Sequence, residues 1–263
     1  MYQPRTYRHW VKDEGLVSFK VTVKETDLYL RARRNLEQES LRAILRCRLS
    51  LENYIENHPT FLTALEPLTV AKDAPEMVRE MAEAAQKVGV GPMAAVAGAI
   101  AENVGRELIK LSPEVIVENG GDIFMKTLKK RAVGVYAADS PFTGKIALEV
   151  EPEETPLGIC TSSGTVGHSL SYGSADAVIV LSPSAVLADA AATAIGNLIK
   201  EAGDIPKGIE FAQKIEGLKG VLIIKGDKLG IWGEVKISNL DKGESFTDKD
   251  TITYEWAIGN SKC

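Results

Sequence analysis

Two hydrophobic periods divide this chain near residue 115, and that division restricts the folds open to it. Before Val115 most apolar patterns repeat at helical spacing. From Val115 onward they shorten to strand-length runs bounded by glycine, proline and polar residues. One strand pair precedes the helices. Val17, Phe19, Val21 and Val23 alternate with Ser18, Lys20, Thr22 and Lys24, and Glu25-Thr26-Asp27 turns the chain into a second strand, Leu28–Ala32. Leu36 to Asn57 reads as one helix ending before Pro59. A second helix is expected from Asp73-Ala74-Pro75-Glu76 to about Lys87, with Asp73 as the cap and Glu76 completing a capping box. After the break Val88-Gly89-Val90-Gly91-Pro92, a third runs from Met93 to Lys110. Its Ala94, Gly98, Ala101 and Gly105 share one face, a small-residue stripe that lets another element approach closely.

Strands are then expected at Val115–Val117, Ala132–Tyr136, Lys145–Val150, Leu157–Thr161 and Ala177–Leu181. Helices Ser184–Lys200 and Lys207–Ile215 follow, then strands Gly220–Ile224 and Ile231–Ile237. Strands and helices alternate too loosely for a βαβ repeat. The expected class is α+β, with mixed or antiparallel sheets packed with helices around one extended core. Residues 1–240 are read as a single domain. Residues 241–263 are a polar tail with a short strand-like stretch, Ile252–Trp256.

Composition removes several classes of function. Lys plus Arg is 31 and Asp plus Glu is 36, a net charge of −5, which disfavours a phosphate backbone; Arg31, Arg33 and Arg34 form the only dense basic cluster in the first third. No apolar run approaches the length of a membrane span, and MYQPRTYRHW does not read as a signal peptide. Cys47, Cys160 and Cys263 show no CxxC spacing, against a disulfide framework or a structural zinc site. A cytoplasmic protein with a small-molecule ligand is expected, without nucleic acid or membrane partners.

Three segments carry chemistry. Glu118-Asn119-Gly120-Gly121-Asp122 follows an apolar run. Gly120 and Gly121 can expose bare backbone to a ligand beside the Asn119 amide and the Asp122 carboxylate, or form a plain turn. The run from Cys160 through Thr161, Ser162, Ser163, Gly164, Thr165 and Gly167 to His168 and Ser169 is rich in hydroxyls and suits phosphate oxygens. It contains neither a P-loop nor a GxSxG elbow. Asp189 and Thr193 are four apart on an alanine-rich helix, so a carboxylate and a hydroxyl share one face, as a hard cation such as Mg²⁺ prefers; the plainer reading has Thr193 bonding back to its own helix. His168 is the candidate acid or base. His58 reads as a helix end, and His9 lies in the N-terminal segment.

The order of these segments resembles the ApbE superfamily, the FAD:protein FMN transferases. VIVENGGDI resembles that family's VNAGGDI, CTSSG its TSG segment, and SPSAVLADAAATAIG its ADALATAL helix. A closer resemblance, to an ApbE-like family of archaea and anaerobic bacteria, spans nearly the whole chain. It rests on ETDL, HPTFLTALEPL, VGPMAAVAGAIAE, SPFTGKI and GTVGHSLSYGSADAV. The resemblance implies an ApbE-like fold and a flavin (FAD or FMN) or other phosphate-bearing ligand. It also implies Mg²⁺ on Asp189 and Thr193, helped by a backbone carbonyl from the 91–98 region. Three departures weigh against flavin transfer itself. The HHIxDPxTG segment is missing, Ala-Val-Ala-Gly at 95–98 replaces a Lys-Gly pair, and Thr165 stands where an acidic residue is usual.

Two other functions compete. Proteins like these are linked to sulfur assimilation toward homocysteine, and Cys160 near His168 could act as a reactive thiol. Alternatively the chain is a non-catalytic interaction subunit or homo-oligomer, with the small-residue stripe as its interface.

Overall fold

The computed structural model describes residues 15–164 and 173–240. An eight-stranded antiparallel sheet forms its centre. Its strands are β1 (Val17–Val23), β2 (Thr26–Ala32), β3 (Val115–Asn119), β4 (Asp122–Lys126), β7 (Leu157–Ser162), β8 (Ala177–Ser182), β9 (Gly220–Lys225) and β10 (Lys228–Gly233), in that order across the sheet. A second, three-stranded sheet orders β11 (Ile237–Asn239), β6 (Ile146–Val150) and β5 (Arg131–Gly134). This is the expected α+β class.

The large sheet is covered on both faces. On one side lie the helices α1 (Glu37–Asn57), α2 (Thr60–Thr63), α3 (Glu76–Val88), α4 (Val96–Leu108), α5 (Ala185–Leu198) and α6 (Ile205–Gln213). Of these, α4 packs on β3 and β4, α5 on β7 and β8, and α6 on β9 and β10. On the other side the small sheet closes a second apolar cluster that includes Met125, Ile146, Leu148, Ile159 and Ile179. A strand buried on both faces loses its alternation. In β4, Phe124 joins the helix-side core and Met125 the sheet-side core. That strand has no period-2 signature and is absent from the strands expected above.

Local details differ from the expectations in informative ways. The β1–β2 turn is Lys24-Glu25, with Lys24 at φ 51, so Thr26 and Asp27 belong to the strand. Asp73 does not cap α3. It lies in an upstream turn, Pro75 occupies the cap position, and no side chain bonds the first N–H groups. Strand β10 starts before Ile231 and ends at Gly233, and the chain pairs again only as β11. The strand-like 252–256 stretch lies outside the described residues. Arg31 and Arg33 are no basic surface patch: Arg31 is buried, and Arg33 pairs with the buried Glu114.

The N-terminus of α5 is firmly set. Ser184 Oγ accepts the Leu187 N–H at 3.3 Å, while Glu102 of α4 accepts both the Ser184 hydroxyl at 3.2 Å and the Val186 N–H at 3.1 Å. Arg106 in turn holds Glu102 at 2.6 Å. Ser184→Ala therefore loses a cap, and thermal unfolding should register a loss of about 1 kcal/mol. A melting curve matching the native one would mean that Glu102 alone carries the helix start.

Candidate functional site

Gly120 and Gly121 form a two-residue hairpin turn between β3 and β4, with Asn119 opposite Asp122. Both have positive φ, 68° and 114°, which glycine alone adopts without strain. The turn thus presents bare backbone, and its flanking residues Asn119 and Asp122, paired across the ladder, put their side chains on the same face of the sheet.

On the helix face, Asn119, Asp122 and Asp189 converge. The Asn119 amide donates to the Ala97 carbonyl at 3.1 Å, at the start of α4. The Gly98 N–H donates to Asp189 Oδ2 at 2.8 Å. The Thr161 N–H donates to Asp122 Oδ1 at 3.1 Å, tying β7 to the turn. Asp122 and Asp189 are both buried. Burial first, and then the charge of Asp122, push the Asp189 carboxyl well above the usual carboxylate range, against the opposing pull of the Gly98 and Ala97 N–H groups. Thr193 lies one turn along α5 on the same face, half-buried. Among the described residues no three His, Cys, Asp or Glu side chains form a metal-binding cluster.

Close backbone packing makes this convergence possible. A Cβ on Gly98 would lie 2.3 Å from the Ala185 carbonyl oxygen, and one on Gly105 would lie 2.1 Å from the Phe124 ring. The small-residue stripe is therefore consumed inside the protein, against α5 and β4, and is not an interface for a partner.

Cys160 is fully buried, and its thiol donates to the Ala185 carbonyl at 3.3 Å. Burial foremost, then the charges of Asp122 and Asp189, push its ionisation well up. A thiolate is disfavoured there, which opposes the reactive-thiol reading. Ser162 is buried on the same face, and Gly164 is exposed at the strand's end. The Gly164 N–H donates to the Ala175 carbonyl at 3.0 Å, and the Gly173 backbone lies against Gly196 of α5, the next turn after Thr193. Thr165 and His168 lie outside the described residues.

On the other face of the sheet, a cleft of about 170 Å³ opens between the two sheets. Four expected residues line it: Gly120, Gly121, Thr161 and Ser163. Tyr29, Arg31, Glu118 and Tyr136 line it too, and none was singled out as a ligand contact from sequence. The available signal was a charged residue inside a strand: Glu118 closes the run Val-Ile-Val, and Arg31 interrupts an apolar strand.

Comparison with known proteins agrees with this architecture. A sequence profile of the family described as AbpE bacteria matches residues 8–215. A UPF0280 protein from Methanococcus aeolicus is 39% identical over 248 residues, covering 88% of this chain and 99% of its own length. One from Methanocaldococcus jannaschii is 42% identical over 222 residues, covering 82% and 90%. Among solved structures, the apo flavinyl transferase ApbE of Pseudomonas stutzeri superposes with a TM-score of 0.55 at 14% identity, covering 84% of this chain and 94% of that one. The flavin transferase ApbE of Vibrio cholerae gives 0.55 at 14% identity, covering 87% and 97%. At such identities the likeness is one of fold. Among the described residues no single helix is long and apolar enough to cross a membrane.

Proposed function

This chain belongs to the ApbE-like family that the profile describes as AbpE bacteria, and on that premise we propose that it binds a phosphate-bearing small molecule of the flavin-nucleotide class, with Mg²⁺, at the Gly120–Gly121 turn. The observation that carries the proposal is the meeting of two buried carboxylates, Asp122 and Asp189, beside the Ala97 carbonyl. Backbone N–H groups of Gly98 and Ala97 bond Asp189, and among the described residues no lysine or arginine pairs with it. Two adjacent buried carboxylates call for a shared proton or a cation. Mg²⁺ fits this donor set, since it takes one or two carboxylates and leaves the rest of its shell to water and phosphate oxygens. Asp189 and Asp122 would hold it, with the Ala97 carbonyl and the Thr193 hydroxyl as neutral donors. A bound Mg²⁺ supplies charge neutralisation for a phosphate or diphosphate.

The chain's own groups do the rest. Asn119 fixes the direction of the Ala97 carbonyl, and the Gly98 N–H fixes the Asp189 rotamer. The bare turn lets phosphate oxygens approach backbone N–H groups. Transfer of FMN to a protein is not part of this proposal, since the HHIxDPxTG segment of true transferases is missing.

Thermal unfolding with FAD, FMN and ADP, each with Mg²⁺ and with chelator, tests the reading. A ligand at a hundredfold its Kd stabilises by about 2.7 kcal/mol, which for a chain of this size raises Tm by roughly 5–10 °C. The rise should require Mg²⁺. If none of the three compounds shifts Tm in either condition, the proposal fails.

A further inference from the structure

Helix α1 exposes an apolar side. Its Ser40, Ala43, Ile44 and Leu51 are buried where it packs on β1, α3 and α4. On the opposite side Leu41, Leu45 and Leu49 are 40%, 48% and 62% exposed. We propose that this side is a dimer interface, on which α1 of a second copy of this chain lies antiparallel.

Spacing is the first argument. A single exposed leucine is ordinary on a protein surface. Leucines at 41, 45 and 49 are four apart, so they stack into one ridge along the helix. The surrounding residues extend that ridge into a seam. Gln38, Arg42, Leu45, Leu49, Glu52 and Glu56 recur in alternating steps of four and three, the period at which one helix meets another along its length. Leu41 flanks the seam, which runs over about 27 Å of helix. Its centre is apolar and its ends are polar, the layout of a contact core with a rim.

Charge is the second argument, and it selects the occupant. Arg42 lies on the N-terminal side of the two central leucines, and Glu52 and Glu56 lie on the C-terminal side. Two copies laid parallel would set Arg42 beside Arg42 and Glu56 beside Glu56. Laid antiparallel about a twofold axis, Leu45 layers with Leu49 of the second copy, Arg42 with Glu52, and Gln38 with Glu56. Every contact then occurs twice, and Arg42 stands level with one acid and a turn from the other. Glu52 already accepts Lys24 and Arg48 within its own chain, each at 2.7 Å. Arg42 and Glu56 form no ion pair among the described residues; the Arg42 Nε donates to the Gln38 carbonyl at 3.3 Å. Both are exposed and open to a partner. The seam is thus complementary to its own reverse, whereas an anionic membrane or nucleic acid would meet Glu52 and Glu56 and be repelled.

Sedimentation equilibrium of the full chain tests the proposal. A contact of one helix per copy sits at the low end of specific interface areas, so the mass should rise from monomer to dimer over roughly 1–100 µM. Leu45→Gln/Leu49→Gln should weaken dimerisation at least tenfold, because each lost leucine is lost twice across the axis. Arg42→Glu should weaken it about tenfold by facing Glu52 and Glu56 with a like charge. These side chains are exposed, so at dilutions where every protein is monomeric the variants should melt as the native chain does. Cross-linking reads the direction. In a Cys263→Ser background, Gln38→Cys and Glu56→Cys proteins mixed with a short thiol cross-linker should join to one another, and neither should join to itself. A chain that stays monomeric throughout this range would overturn the proposal. So would a folded Leu45→Gln/Leu49→Gln variant that dimerises like the native chain, or cross-linking of Gln38→Cys to itself.

Discussion

Asp189→Asn should melt higher than the native protein at neutral pH in chelator, and should lose all Mg²⁺-dependent stabilisation by ADP or FMN. The two effects have opposite signs because they come from one charge. Without a cation, the Asp189 carboxyl is buried beside Asp122, and both facts favour its protonated form. Its folded value lies above the unfolded one, near 3.9. The stability it contributes is fully present below the unfolded value. It falls as pH rises from there through the folded value, where the native state must either keep a proton or bury a second negative charge. Asparagine keeps the size and can still accept the Gly98 N–H, and it removes the charge. The native protein in chelator should therefore lose stability relative to the variant as pH rises above about 4, and Mg²⁺ should return that difference to the native protein only. With ADP or FMN at a hundredfold the native Kd, the native gain of about 2.7 kcal/mol should fall to nothing in the variant. Melting curves of both proteins across pH, with chelator and with Mg²⁺, read out both signs. A variant that melts lower than native in chelator, or that still responds to Mg²⁺, would remove Asp189 from the metal-binding role.

Much of this arrangement was legible as chemistry and less of it as geometry. Asn119, Gly120, Gly121, Asp122 and Asp189 stood out because polar or conformationally permissive residues interrupt apolar runs, and the fold does bring them together. The hairpin around them was not legible. Strand β4 is short and buried on both faces, so Asp-Ile-Phe-Met-Lys shows no alternation, and its partner β3 read as a strand running into a loop. The cleft was hidden for a different reason. It exists only because β5 and β6, supplied by a separate sheet, close over one face of β2, β3 and β7, and no local pattern encodes that contact. Tyr29 and Arg31 alternate with Leu28, Leu30 and Ala32, a pattern that does not distinguish a solvent face from a face covered by a second sheet. Cys160 misled in the opposite direction. Its place in a hydroxyl-rich run suggested reactivity, but strand parity turns its thiol into the helix layer while Thr161 faces the cleft.

Gly98→Ala should destabilise the protein by about 2–3 kcal/mol and abolish the Mg²⁺ response, although helix propensity alone argues the other way. Gly98 lies inside α4, where replacing glycine by alanine gains roughly 1 kcal/mol if nothing else changes. Here the added methyl would lie 2.3 Å from the Ala185 carbonyl oxygen and 2.8 Å from Asp189 Cβ. The first neighbour is backbone, held in the opening turn of α5 beside the Ser184–Glu102 bonds and accepting the Cys160 thiol, so it cannot swing aside as a flexible side chain would. The helices must separate, at a typical overpacking cost of about 1–3 kcal/mol. Separation also breaks the bond from the Gly98 N–H to the Asp189 carboxyl; with that carboxyl protonated, the bond contributes about 0.5–1.5 kcal/mol. These two losses outweigh the propensity gain and lower Tm by roughly 5–10 °C. Gly203→Ala is the matched control. There the nearest neighbour of a Cβ is the flexible Glu201 Oε1 at 3.7 Å, so the change should stay within about 0.5 kcal/mol. Asp189→Asn and Gly98→Ala then share one phenotype, loss of the Mg²⁺ response, and differ in the sign of their stability change. If Gly98→Ala melts at or above native, α4 and α5 yield easily to one another, and the approach of the two helices is not what fixes Asp189 beside Asp122.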